Sequence, residues 1–125
     1  PKIVMVAAPQ TFRDIQGETV DAGDSDLCAR AVSMGRVHRA LPLTLSMCLA
    51  TACRVDGTVP AMLAAPLAHG ADVRLGNPSG IIAAGADVDR SGNGWDVTRC
   101  RVIRTQRRLM EGQILVPAGT VDTAR

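Results

Sequence analysis

The chain contains 125 residues, of which 46% are hydrophobic and 21% are charged, and its formal net charge at pH 7 is +2. This composition excludes a disordered or low-complexity chain, and the length fits a single domain with its own hydrophobic core. Aromatic residues make up only 2% of the chain, which argues against a nucleic-acid-binding surface built from stacked rings. No apolar run approaches the ~20 residues that cross a bilayer, so no membrane partner is expected.

Predicted strands alternate with glycine- and proline-containing turns along most of the chain. Apolar or alternating segments predict strands at residues 2–8, 27–33, 71–75, 80–88, 95–104 and 113–116. Residues 10–26 are polar and predict a loop, and the last residues of the chain are expected to fray. Because strands dominate and a hairpin joins 80–88 to 95–104, the sequence favours an α+β fold with mostly antiparallel pairing.

One helix is predicted, over residues 41–55. Its apolar residues run around the whole circumference and do not form a single stripe. A helix that is apolar on all sides has to be enclosed by other parts of the protein. We therefore predict a mostly antiparallel curled sheet or barrel around one central apolar helix.

Two segments contain candidate binding residues. The first, 33–40, brings Arg36, His38 and Arg39 to the start of the helix, where unpaired N–H groups and the positive end of the helix dipole favour an anion. The second, Gly-Asn-Pro-Ser-Gly at 76–80, combines tight backbone turning with a serine hydroxyl that can bond a carboxylate oxygen. Each segment also has a purely structural interpretation, as surface arginines beside an ordinary helix start and as a turn.

The sequence shows no familiar pattern for a metal or a nucleophile. The four cysteines, Cys28, Cys48, Cys53 and Cys100, have no CxxC spacing, and the two histidines are not near them in a zinc pattern. We expect reduced thiols that pack as small hydrophobic groups, and from this a cytoplasmic location. The aspartates between residues 21 and 26 lack the spacing of a calcium loop, which favours a solvated loop over a metal site.

Three stretches together resemble one known family. They are SMGRVHRALPLTLSMCLATACRVDGTVP at residues 33–60, RLGNPSG at 74–80 and RTQRRLMEGQILVP at 104–117. In order and spacing they are similar to the C-terminal half of the PrpF family, which includes methylaconitate and methylitaconate isomerases and 4-oxalomesaconate tautomerases. The resemblance implies a diaminopimelate-epimerase-like fold of two similar α+β domains with the active site between them. Residues 1–125 are then expected to form a single domain equivalent to the C-terminal domain.

The resemblance also implies where a substrate would bind, and it implies no cofactor, while the Cys, His and Asp spacing predicts no metal. By position, the substrate-binding candidates are Ser33, Met34, Gly35, Arg36, His38, Thr44, Ser46, Asn77, Ser79 and Gly80. Two positions depart from the family pattern, because a family glycine at the helix start is Leu45 here and a family histidine is Asn77. Cys48 aligns with a cysteine common in the family helix, and we expect it to be buried.

The resemblance implies an isomerase or tautomerase that shifts a proton between carbons of an unsaturated di- or tricarboxylate. The family's catalytic cysteine and lysine belong to its N-terminal half, so the catalytic residues are unknown here and this chain alone is expected to bind substrate or to be inactive. The alternative is a self-associating carboxylate-binding or interaction module without enzymatic activity. The expected partners are a small carboxylate and either a second copy, forming a homodimer, or a separate N-terminal half.

Overall fold

The computed structural model describes residues 2–117. Its strands and helices in chain order are β1 (Ile3–Ala7), β2 (Phe12–Arg13), β3 (Thr19–Val20), β4 (Leu27–Ser33), β5 (Arg36–Val37), α1 (Leu43–Ala52), α2 (Val59–Leu63), β6 (Val73–Asn77), β7 (Gly80–Ser91) and β8 (Gly94–Val102). A single 3₁₀ turn at Ala22–Asp24 lies between β3 and β4.

Most strands belong to one six-stranded sheet. Its order is β1-β4-β6-β7-β8, and β5 pairs with β4 outside this path. Only the β4–β6 pair is parallel among these strands, so the predicted α+β fold with mostly antiparallel pairing is confirmed. The parallel pair requires a long crossover between β4 and β6, and the two helices lie in that crossover.

The long strands agree closely with the sequence prediction. β4 has the bounds predicted for it, residues 27–33, and the predicted hairpin is the β7–β8 pair. The segment predicted as a loop, 10–26, contains the short β2–β3 hairpin as well as the 3₁₀ turn. Two-residue strands are too short for hydrophobic alternation to reveal them, which is why the pattern missed this hairpin.

The helix α1 is shorter than predicted and is not enclosed on every side. It packs against β7 and β8, and its buried residues are Ser46, Leu49 and Ala50. The opposite flank carries Thr44 and Cys48, both exposed. The prediction of an enclosed helix is therefore wrong on this flank, because the sheet curls around only part of the circumference, and the burial expected for Cys48 is wrong for the same reason.

Small side chains at the centre of the sheet let α1 approach it closely. Alanines occupy buried positions on β4, β7 and α1, and the larger core residues beside them are Leu27, Leu49, Val73 and Leu75. A short helix with few bulky residues can bury its apolar surface only against a close, continuous sheet face. The sheet thereby fixes the position of the N-terminal end of α1.

The strand predicted at residues 113–116 is wrong. Residues 103–117 follow β8 without helix or strand, and Ile114 and Leu115 are exposed by 88% and 95%. A strand needs a neighbour to accept its backbone hydrogen bonds, and no strand of residues 2–112 pairs with this segment. The final residues, which were expected to fray, lie outside the described part of the chain.

Candidate functional site

A cavity of about 410 Å³ opens beside Ala40 and Leu41, the residues that lead into the N-terminal end of α1. Four segments meet around it: the residues just before the helix, the turn between β6 and β7, the first residues of β7, and the chain that follows β8. Its polar lining residues are Asn77, Ser79, Arg104 and Thr105, while the rest of the lining is Ala, Leu and Ile. The volume lies in the range of small-ligand sites.

The start of α1 supplies free hydrogen-bond donors near this cavity. Pro42 precedes the first helical residue, and no side chain caps the helix there. The amide of Ser46 is the donor to the Pro42 carbonyl at 2.9 Å, so the N–H groups of the three residues before it lie in the turn that has no intrahelical acceptor. These N–H groups and the helix dipole favour a negatively charged group at this end.

Ser46 itself is committed to the helix. Its hydroxyl also donates to the Pro42 carbonyl, at 3.2 Å, and the residue is fully buried. Thr44, two residues earlier, is exposed. Of the two candidates on the helix, only Thr44 has a side chain that a ligand can reach from solvent.

The turn between β6 and β7 is braced by its own residues. Asn77 is 2% exposed, its amide nitrogen donates to the Gly80 carbonyl at 3.0 Å, and its oxygen accepts from the Ser79 amide at 3.1 Å. Gly80 has a φ of 99°, a conformation that glycine adopts without strain. The polar atoms of Asn77 therefore hold the shape of the turn. Where the family pattern has a histidine, this chain has a residue that stabilises the turn.

Ser79 joins this turn to the segment that leads into α1. Its hydroxyl donates to the Arg39 carbonyl at 2.6 Å across 40 residues of sequence. The hydrogen bond places the second predicted segment directly beside the end of the first. Two segments that the sequence marks separately are therefore in contact.

The other predicted residues of the first segment lie in a separate hairpin. Met34 and Gly35 form the two-residue turn between β4 and β5 with φ values of 51° and 73°, and Met34 is 97% exposed. Ser33 and His38 bond each other, with 2.9 Å between Oγ and Nε2. None of the residues from Ser33 to His38 lines the cavity.

Sequence reasoning missed Arg104 and Thr105. The alternation pattern places Arg104 at the end of a predicted strand and Thr105 just beyond it, although β8 ends at Val102. The antiparallel register, in which Ala84 pairs with Val102, carries the following residues back beside the first residues of β7 and so to the cavity. The only sequence signal for them was their place at the start of the third family-like stretch.

A second cavity of about 410 Å³ lies at the opposite end of α1 and is lined by Cys53, Arg54 and His69. Burial raises the pKa of the Cys53 thiol to about 11, while the charge of Arg54 lowers it only in part. The thiol is therefore neutral near pH 7 and a poor nucleophile. Arg54 is occupied as well, since its guanidinium donates to the carbonyls of Ala68 and Ala71.

Within residues 2–117, no group of three or more His, Cys, Asp or Glu side chains is arranged to hold a metal ion. The aspartates of the 21–26 segment have other contacts, because Asp24 accepts from the Asp21 amide and Asp26 is paired with Arg74 at 2.6 Å.

Within residues 2–117, no helix is long and apolar enough to span a membrane.

Comparison with known proteins shows one consistent relationship. The model of the PrpF protein family matches residues 1–117. The chain belongs to the PrpF family. The 2-methyl-aconitate isomerase of Shewanella oneidensis is 39% identical over 117 residues, and the 3-methylitaconate isomerase of Eubacterium barkeri is 31% identical over a similar span.

The fold agrees with a solved PrpF relative. The crystal structure of a methylitaconate-delta-isomerase superposes with a TM-score of 0.67 at 25% identity and covers 83% of this chain. The predicted diaminopimelate-epimerase-like fold is thereby confirmed. The chain spans only about 29% of the length of the Shewanella relative and 28% of the solved chain.

Proposed function

We propose that this chain is the substrate-binding part of the C-terminal domain of a PrpF-like isomerase or tautomerase acting on unsaturated di- or tricarboxylates. In this proposal the cavity at the start of α1 receives a substrate carboxylate, and the chain alone performs no proton shift. Family membership supports the isomerase class, and the named relatives act on 2-methylaconitate or 3-methylitaconate. The domain assignment and the substrate remain proposals, because the chain spans less than a third of those relatives.

The observation that carries the proposal is the composition of the cavity lining. It contains the Arg104 guanidinium and the Thr105 hydroxyl, which can donate to a carboxylate, together with an apolar wall suited to a hydrocarbon chain. The same lining contains no Asp, Glu, His, Cys or Lys side chain. A shift of a carbon-bound proton requires a general base and an acid within reach of the substrate, so this cavity is equipped to bind but not to transfer protons.

Of the ten predicted site residues, we place Asn77, Ser79 and Gly80 at this cavity through the turn that they form, and Thr44 at the nearby start of the helix. The hairpin residues Ser33, Met34, Gly35, Arg36 and His38 we propose as a rim that contacts substrate or a covering partner. Ser46 we propose as a positioning residue, since it fixes the start of α1 from inside.

Two measurements on the purified chain test this proposal. Isothermal titration with 2-methylaconitate is expected to show saturable binding, while proton NMR in deuterated buffer is expected to show no isomerisation and no deuterium uptake into the acid. A chain that binds no di- or tricarboxylate would overturn the site. Robust turnover by this polypeptide alone would overturn the claim that it only binds.

A self-associating module without enzymatic activity is the second candidate. Large apolar side chains are exposed at Ile3 and Met5 on the edge strand β1 and at Leu109, Ile114 and Leu115 beyond β8. Contiguous exposed apolar surface promotes association, and an unpaired strand edge is a template for a second chain. Light scattering across a hundredfold concentration range tests this, since a homodimer gives a mass that rises toward or stays at twice the monomer mass, whereas a constant monomer mass excludes it. A cytoplasmic location is also part of our proposal and rests on the four free cysteines.

A further inference from the structure

Arg104 has no acidic partner within residues 2–117, unlike three arginines of the sheet. Arg74, Arg99 and Arg101 each form an ion pair with an aspartate across the sheet. Arg104 forms no ion pair within residues 2–117, although it lines the cavity at the start of α1. An arginine that faces a cavity with its charge unpaired is suited to bind an anion from solution.

The cavity wall has polar groups on two sides of an apolar strip. Ile81, Ile82 and Ala83, the first residues of β7 after Gly80, form the strip. On one side lies the turn with Ser79, next to the start of α1, and on the other side lies the chain after β8 with Arg104 and Thr105. A ligand that fills this space has the N–H groups at the start of α1 near one end, a hydrocarbon-like wall along its middle and the cation of Arg104 at the other end.

We propose that Arg104, assisted by the Thr105 hydroxyl, binds a second carboxylate of the ligand and so makes the site selective for di- and tricarboxylates over monocarboxylates. This inference rests on the proposed function, which places the first carboxylate at the start of α1. Guanidinium suits this role because its planar donors bond both oxygens of a carboxylate at once. Arg104 is then a specificity-determining residue of binding, with no part in proton transfer.

The test compares two ligands and two single substitutions at one ionic strength. The ligands are 2-methylaconitate, which carries three carboxylates, and 2-methylbut-2-enoate, an unsaturated acid with one. The variants are Arg104→Gln and its control Arg107→Gln, which removes the same charge from the same segment at an exposed residue outside the cavity. Both arginines are exposed, so both variants are expected to fold, which circular dichroism checks.

We expect Arg104→Gln to weaken binding of 2-methylaconitate about tenfold or more, the scale of a lost hydrogen-bonded charge pair, and to leave the monocarboxylate unchanged. Arg107→Gln is expected to change neither. Equal affinity of Arg104→Gln and the unsubstituted chain for 2-methylaconitate would overturn the role of Arg104 while leaving the binding site standing. Equal weakening by both variants would show that the effect is general charge attraction, and would also overturn the role of Arg104. An unsubstituted chain that binds neither acid would overturn the proposed function itself.

Discussion

The ion-paired arginines of the sheet and the arginines near the start of α1 have opposite surroundings. In the sheet, Arg74 donates to both oxygens of Asp26, and Arg101 bridges Asp72 and Asp87. Around the start of α1, Arg39 and Arg104 form no ion pair within residues 2–117. The comparison separates arginines that hold the fold together from arginines left available for an anion.

The largest effect is expected at the Asp26–Arg74 pair. The Asp26 side chain is 9% exposed and accepts from both the guanidinium and the backbone amide of Arg74, the latter at 2.7 Å. Asp26→Ala leaves that amide and the cation without their partner, so it should lower the free energy of unfolding by about 3 kcal/mol. The exposed Asp96 is the matched control, since Asp96→Ala should change stability by less than about 0.5 kcal/mol in the same urea titration. Equal losses in the two variants would show that the Asp26–Arg74 pair does not stabilise the fold.

Acid should weaken the same pair. Burial alone raises the pKa of the Asp26 carboxyl, but the hydrogen bonds and charge of Arg74 outweigh it, so the pKa lies below its usual value. A carboxyl whose pKa is lower in the folded state than the unfolded value of about 3.9 stabilises the protein above that value, and the contribution is lost as pH falls through the folded pKa. Urea titrations at pH 6 and pH 3 should therefore show a larger loss for the unsubstituted chain than for Asp26→Ala. Identical losses would mean that Asp26 carries no such contribution.

A smaller loss of stability is expected when a methyl group is added at Gly76, near the Asp26–Arg74 pair. A Cβ added to Gly76 would lie 3.0 Å from a ring carbon of Phe12 and 3.2 Å from the sulfur of Cys28, in a buried part of β6. Gly76→Ala should therefore destabilise the fold by about 1–3 kcal/mol. Gly23→Ala is the control, since its Cβ meets no atom within 4 Å. A neutral Gly76→Ala would show that the strand shifts to accept the methyl group.

The smallest effect is expected on the exposed flank of α1. Cys48 is exposed, whereas Cys53 is buried with its pKa raised to about 11, so iodoacetamide at pH 7.5 should modify Cys48 well before Cys53. Modification of Cys48 alone should change the free energy of unfolding by less than about 0.5 kcal/mol. Peptide mass mapping over time measures the order. Equal rates at the two cysteines would contradict the burial of Cys53, and a large stability loss would mean that this flank is packed.

The sequence predicted those parts of the fold that depend on local patterns. β4 and the β7–β8 hairpin were found from alternation and turn residues, and the family from three ordered stretches. The prediction of a fully enclosed helix is wrong on one flank of α1. Apolar residues all around a helix do not reveal that the sheet covers one side only. The strand predicted at 113–116 failed because a strand depends on a neighbour that no local pattern contains.

The candidate site was predicted in part for a related reason. The hydrogen bond from Ser79 to Arg39 brings together two segments that the sequence had marked separately. Arg104 was missed because its neighbours at the cavity lie about 20 or more residues away and are determined by the register of β7 with β8. The sequence also does not show which arginines are ion-paired, because the partners lie far apart along the chain. Asp26 and Arg74, for example, are 48 positions apart.

The most direct test of a carboxylate site at the start of α1 is a titration of the ¹⁵N-labelled chain with 2-methylaconitate, followed by amide chemical shifts. We predict saturable shifts at the amides of Leu43, Thr44, Ser79 and Arg104, with those of Arg54 and His69 at the other end of the helix unchanged. Saturable shifts confined to the Arg54 and His69 end, or no saturable shift at either end, would contradict the account.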